Sequence, residues 1–234
     1  MISKTRMLAL VKAFDWAAVT QALAESPGLL AIRDERGRGW LHICCATAAT
    51  SAAQVADSIK TADALLAAGL DIDDAAFTEG DWRATALWCA IGRGRNLALA
   101  RHLLELGCDP EHCLWAAQFA RDTEAIRLLV SHGARIDPFQ EEGTPFISAI
   151  AWSHFEEAEV FLELGADVNA IGANGLTALH LMLKKGSDKA HFELLIRYGA
   201  RGDIPGPDGQ TAAQIMRRKR DPDFQRMADR LRIG

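Results

Sequence analysis

Leu162–Leu181, LELGADVNAIGANGLTALHL, holds in order a helix end, an extended arm, a tight turn and a new helix start. Gly165 is placed to end a helix in the left-handed conformation that costs glycine least. Asn174-Gly175 is a tight-turn dipeptide, and Thr177 is positioned to cap the next helix by accepting a backbone N–H on its hydroxyl. The same arrangement recurs in ALLAAGLDID (64–73), LLELGCDP (103–110), LLVSHGARIDPFQEEGTPFI (128–147) and LIRYGARGDIPGPDGQTAAQ (195–214). Recurrence of one pattern along the chain argues for stacked units rather than two globules.

The arm Gly165-Ala166-Asp167-Val168-Asn169 and the helix start Thr177-Ala178-Leu179-His180 resemble the ankyrin repeat family, whose signature is a Gly-Ala-Asp-Val-Asn arm followed by Thr-Pro-Leu-His. The resemblance runs from about residue 4 to about residue 220. It implies an all-α solenoid of stacked antiparallel helix pairs, with projecting hairpin arms and a helical cap at each end. On this reading 1–234 is a single ankyrin-repeat domain. An N-terminal cap at 1–38 precedes repeats at 39–84, 85–111, 112–143, 144–176 and 177–210, and 211–234 forms the C-terminal cap. A unit of about 33 residues buries too little surface to fold alone, so stacking supplies the stability.

The spacing of the starts departs from regularity twice. From Gly39 to Thr85 is 46 residues, whereas Thr85 to His112 is only 27. The surplus falls around Ala46–Val55, predicting a longer loop or helix extension, and in the arm from Leu70 to Ala84, predicting the longest finger. The deficit falls at Cys108–Glu111, where a hairpin is expected to be missing. At the N-terminus, Met7, Leu10 and Val11 read as one helix and Val19, Ala22 and Leu23 as a second that Asp15 can cap. At the C-terminus, Phe224, Met227, Ala228 and Leu231 form an i, i+3, i+4, i+7 stripe that should close the core.

Of the 234 residues 49% are apolar and the net charge is −5, with no apolar run near the eighteen or so residues that span a bilayer. The opening MISKTRMLALVKAFDW has its apolar stretch broken by Lys12 and Asp15, and reads as a helix rather than a signal peptide. Five cysteines are an odd number for a disulfide framework, so a reducing cytoplasm is the expected compartment. Charge is uneven: residues 1–183 carry 14 Lys+Arg against 24 Asp+Glu, and residues 184–234 carry 12 against 7. An acidic body ends in a basic cap.

Candidate chemistry is sparse. His42, Cys44 and Cys45, and separately Cys108, His112 and Cys113, are close in sequence, but neither set has the paired spacing of a closed four-ligand zinc site, so no metal is expected. Ile91-Gly92-Arg93-Gly94-Arg95 lacks the Lys-Ser/Thr of a phosphate loop and reads as a turn. His42 and His180 occupy the histidine of the family's Thr-Pro-Leu-His, where the resemblance implies a structural hydrogen bond. No catalytic residue and no cofactor follow from the pattern, and the expected class is a non-enzymatic protein–protein interaction module of adaptor, inhibitor or immunity type, working as a monomer.

The resemblance also implies where a partner is gripped: on the concave face, at the arm tips and at the two residues ending each first helix. Trp82 lies at an arm tip, and Arg93, Phe119, Trp152, Lys184 and Lys185 lie at helix ends. Trp82, Phe119 and Trp152 are expected as one aromatic patch of the kind enriched in binding hot spots. Two other readings stand beside this one. A small-ligand or enzymatic site would use the gap near 108–112, and the run Arg217-Arg218-Lys219-Arg220 would bind an anionic polymer. A short basic run without interleaved aromatics reads first as a solvated helix face, so nucleic acid is not the expected partner.

Overall fold

Glycines at near-regular intervals decide where each helix stops. In the computed structural model, which describes residues 2–79, 82–140 and 143–233 with backbone alone at 78, 79 and 82, Gly165 has φ 97°. Its N–H donates to Leu162 O at 3.1 Å and the Ala166 N–H donates to Phe161 O at 2.9 Å. The same pair of bonds closes the helices at Gly69, Gly107 and Gly199. This termination satisfies carbonyls that a helix end otherwise leaves orphaned, and it turns the chain outward into an arm.

The chain forms two compact units, one of the residues up to Ala120 with Ser131–Ala134, the other of Arg121–Val130 with the residues from Arg135 on. In the first, helices α1 (Lys4–Lys12), α3 (Trp40–Ala46), α5 (Ala86–Cys89) and α7 (Leu114–Ala120) form one row, α5 running into a wide π-helical turn, Ala90–Gly94. A second row, α2 (Trp16–Glu25), α4 (Ala52–Ala67) and α6 (Leu97–Glu105), packs behind it. After α8 (Thr123–Ser131), the second unit repeats the scheme: α9 (Pro145–Trp152), α11 (Ala178–Lys185) and α13 (Ala212–Arg218) are backed by α10 (Phe155–Glu163), α12 (Lys189–Arg197) and α14 (Pro222–Arg230). Leucine, alanine and phenylalanine fill the seams, with Leu65, Leu87, Leu99 and Leu103 wholly buried in the first unit and Phe146, Phe161 and Phe192 in the second. The expected all-α repeat architecture is what is observed.

Both spacing irregularities have structural counterparts. The surplus after α3 goes into the Thr47–Ser51 connection and into α4, 16 residues long where α6, α8, α10 and α12 have 9. The following arm carries strands β1 (Ala75–Glu79) and β2 (Trp82–Thr85), antiparallel, with an irregularity between Ala75 and Thr78. Arms elsewhere among the described residues make single bridges, such as Ile171 with Thr177 and Pro205 with Thr211. Between Gly107 and α7 no strand pairing occurs, and His112, at φ 66°, turns the chain directly into the next helix.

Thr85, Thr144 and Thr211 cap their helices as the sequence suggests, the last in a full capping box with Gln214. Thr177 does not. Its hydroxyl instead meets His180 Nδ1 at 2.8 Å, while His180 Nε2 reaches Gln210 O at 3.1 Å. A carbonyl only accepts, so Nε2 carries the proton, Nδ1 accepts and Thr177 donates. Trp88, Ile147 and Gln214, which stand at the equivalent place after the other threonines, offer no such acceptor ring, which leaves those hydroxyls to the backbone.

Gly94, ending the π-helical turn, sits where a Cβ would fall 2.1 Å from Cys45 O, so close approach of two backbones fixes this residue as glycine. Gly94→Ala is expected to lower stability by about 1–3 kcal/mol in urea unfolding, because the α3 backbone must move to admit it. At the other end, Leu231 is buried just past α14, and Arg232 N donates to Ala200 O at 3.2 Å while accepting Gly202 N at 3.0 Å on its carbonyl. Leu231→Asp should cost more than about 1 kcal/mol, read as a lowered melting temperature, since it sets an unpaired charge against apolar surface.

Candidate functional site

First helices end in short turns, and the last residues before each turn project from the row, because the helix no longer continues to cover them. In the first unit these are Gly92 and Arg93 on the π-helical turn and Phe119 on α7. Phe119 is 54% exposed, with its ring centroid 6.3 Å from that of the buried Trp115. Arg93 is exposed and its guanidinium lies over the Trp88 ring, 5.8 Å from the centroid, an arrangement in which ring and cation attract. Arg95 folds back to donate to Ala120 O and so fastens the turn to the end of α7.

In the second unit Trp152, the last residue of α9, is 57% exposed beside Ser153, which ends the helix at φ 61°. Lys184 and Lys185 end α11, the next helix of the row, and both are exposed. Lys185 is engaged within the fold. Its Nζ donates to Ala151 O and to Ser153 Oγ, both at 2.6 Å, and so caps the C-terminal end of α9, where a cation is favoured by the helix dipole. Lys184 remains exposed at the end of α11. The side chain of Trp82 lies outside the described residues, as do Asp81 and Glu141 of the expected arm tips.

The gap after Gly107 is filled by the chain itself. Asp73 of the preceding arm accepts the Asp109 N–H at 2.9 Å and the Cys108 thiol at 3.2 Å on one carboxylate oxygen. Burial first, then that hydrogen bond and the Asp73 charge, push Cys108 far above an ordinary thiol. Burial raises Cys44 and Cys113 to about 12 and Cys89 to about 11, and raises Cys45 as well. All five are protonated core thiols, and a zinc ligand or a nucleophile must be a thiolate. Among the described residues no cluster of three His, Cys, Asp or Glu is arranged to hold a metal ion.

Three residues of the basic run in the last cap are likewise engaged. Arg217 pairs with Asp229 at 3.1 Å, Arg218 donates to Gln210 Oε1 at 2.6 Å, and Lys219 lies over the Phe224 ring at 4.9 Å. These contacts hold α13, α14 and an arm together.

A feature the reading of motifs passed over is an open groove of about 250 Å³ between α1, α3 and the arm at 32–38. Lys4, Leu8 and Lys12 line it from α1, and Ile32, Trp40 and Ile43 from the other walls. The signal was present in the sequence, since residues 4, 8 and 12 share a helix face that flanks the buried Met7, Leu10 and Val11.

Comparison with known proteins follows the geometry. No family model matches the chain. The human SH3 and multiple ankyrin repeat domains protein 2 is 32% identical over 178 residues, 72% of this chain and 9% of that protein, so the chain spans about a tenth of that relative's length. The chain is built of ankyrin repeats. Solved structures agree on the fold: the human ASB11 ankyrin repeat domain (TM-score 0.71, 21% identity, all of both chains) and the ankyrin repeat domain of Bcl-3 (0.75, 20%, 95% of this chain and 97% of that one). An ankyrin repeat domain from Acinetobacter baumannii AYE aligns over 80% of this chain and 95% of its own, with TM-score 0.63 and 24% identity. No helix among the described residues is long and apolar enough to cross a membrane.

The two signature histidines behave differently. His180 bridges to the next arm as the resemblance implies. His42 has glycine in place of the threonine three residues before it, is buried, and leaves Nε2 without a partner. Burial lowers its pKa below the ordinary 6.5, and the Asp74 charge and the Asp74 and Ala84 backbones only partly oppose this. A depressed folded value means that the unfolded chain binds the proton more readily. The His42 contribution to stability is therefore full above about pH 6.5 and is lost as pH falls from there through the folded value. Urea midpoints across that range should drop more steeply for the parent than for His42→Gln.

Proposed function

We propose that this chain is a non-enzymatic protein-binding module that grips its partner through the ends of its first helices, on the face of the solenoid where the arms project. The observation that carries the reading is the exposure of two large aromatics, Phe119 and Trp152, each within the last two residues of a first helix in separate repeats. A Trp ring offers a large apolar area at low rotamer cost and dominates interfaces for that reason. Support comes also from the fold, since the solved relatives are ankyrin repeat domains and one curated relative carries multiple such repeats. The rigid helix rows present these side chains preformed, so little ordering entropy is lost on association. Lys184, exposed at the end of the next first helix, would steer an acidic partner and act mainly on the association rate. The module works as a monomer in the cytoplasm, with protected thiols consistent with a reducing compartment.

Affinity capture from native cytosol, with mass spectrometry, supplies the partner for calorimetry. Trp152→Ala is expected to weaken binding at least tenfold, about 1.4 kcal/mol or more, with the melting temperature unchanged. Arg218→Ala combined with Lys219→Ala should change affinity little except at low salt. Decisive basic residues with an indifferent Trp152 would place the site on the C-terminal cap instead.

A further inference from the structure

We propose that the groove between α1, α3 and the first arm is a separate docking site for an acidic peptide segment, one that carries an aliphatic side chain between two carboxylates. The inference rests on the reading of the chain as a protein-binding module and adds to it a second site with its own ligand chemistry.

The floor is apolar, made by Leu8, Ile32 and the edge of the buried Ile43, and Trp40 is held in the wall by its indole N–H bond to Leu29 O at 2.7 Å. At about 250 Å³ the groove is smaller than the ~300–1,000 Å³ of sites that enclose a small molecule, and it is open. Such a space takes one side chain of a segment lying across it.

Charge defines the rest of the ligand. Four cations and one carboxylate line the groove, in a chain whose net charge is −5. The two arginines are already committed. Arg33 pairs with Asp74 at 2.7 Å, and Arg38 pairs with Asp34 at 2.7 Å. Burial alone would raise the Asp34 pKa, but the side-chain and backbone hydrogen bonds from Arg38 and the Arg36 N–H outweigh it, leaving the carboxylate ionised and its partner neutralised. Lys4 donates only to the Arg33 carbonyl, at 3.1 Å, and neither Lys4 nor Lys12 pairs with a carboxylate among the described residues. Two uncompensated ammonium groups thus flank an apolar floor.

Their spacing sets a register. Residues eight apart on a helix are separated by ~12 Å along its axis, and an extended peptide rises about 3.3 Å per residue. Carboxylates three to four residues apart, with an aliphatic residue between them, match both lysines and the floor. A phosphate is the poorer fit: its several oxygens favour a guanidinium fork, and here both forks are occupied.

The test is a display selection of random twelve-residue peptides on the full chain, followed by fluorescence polarisation of the enriched peptides. The expected consensus is two acids three or four residues apart bracketing Leu, Ile or Val. Binding should fall at least tenfold for Lys4→Glu combined with Lys12→Glu, and also for Lys12→Gln alone by a smaller factor, while far-UV circular dichroism stays unchanged. Replacing the two acids of the peptide by their amides should reproduce the loss. A consensus without paired acids, binding indifferent to both lysine variants, or no enrichment at all would overturn the groove proposal. Peptides that lose affinity with Trp152→Ala but not with the lysine variants would remove this site and leave the protein-binding reading standing.

Discussion

At three places among the described residues one arm is tied to the next by a side-chain oxygen that accepts a backbone N–H across the gap between repeats. Asp73 takes the Asp109 N–H at 2.9 Å, Asp137 takes that of Asp167 at 2.9 Å, and Asn169 takes that of Arg201 at 2.7 Å. The acceptor stands four residues after its own helix-ending glycine and the donor two residues after the next. Local turns aim the acceptors, for Asp71 binds the Asp73 N–H and Asp167 binds the Asn169 N–H within the same arm. Outside the β1–β2 arm these arms make no more than single bridges, and the three bonds sit at exposed positions, so each contributes a net of about 0.5–1.5 kcal/mol rather than the full penalty of a buried unpaired amide. The glycine termination matters because it sets the phase: one residue more or less would carry the acceptor past its donor.

The same constraint explains where irregularity is tolerated. An insertion between a glycine's fourth successor and the next helix start lengthens a finger without touching the bond, and β1 and β2 lie just there, after Asp73. A deletion at the same place removes a finger, and the Cys108–His112 connection still supplies the Asp109 N–H to Asp73. Insertion into the loop before α4 is harmless for a similar reason, since it precedes the helix whose end the glycine fixes. Burial pushes the Asp137 carboxyl up despite the N–H it accepts, so that link sits in a drier place than a surface turn.

Helix pairing, the long finger and the missing one were legible because each depends on glycine, threonine or spacing, which act locally. What escaped the sequence depends on side chains meeting across repeats. Thr177 has the right identity for a cap, and only the imidazole of His180, fixed by Gln210 in the next arm, diverts it. Lys185 has the composition of a solvated residue, yet the turn at Ser153 brings two acceptors to its amine. Asp73 entering the gap at Cys108 was invisible for the same reason. Of the expected binding residues, Phe119, Trp152, Arg93 and Lys184 are exposed where the pattern of the repeats put them, because the end of a first helix is itself a local feature.

Stacked repeats separate stability from recognition in a way a globular core does not. The residues that hold neighbours together are buried or lie in the arms, and Gly94 against Cys45 or Asn96 bridging Ser58 at 2.9 Å belong to that set. Residues at the ends of first helices carry little of this load, so they are free to be aromatic or basic. Lys185 and Arg95 show the exception, each spending its charge on the carbonyls that end a neighbouring helix. A first-helix terminus thus holds two kinds of side chain, those that close the adjacent helix and those that face outward. Hydrogen bonds tell them apart where composition does not. By that criterion Arg95 and Lys185, which donate to the carbonyls ending α7 and to Ala151 O near the end of α9, are of the closing kind.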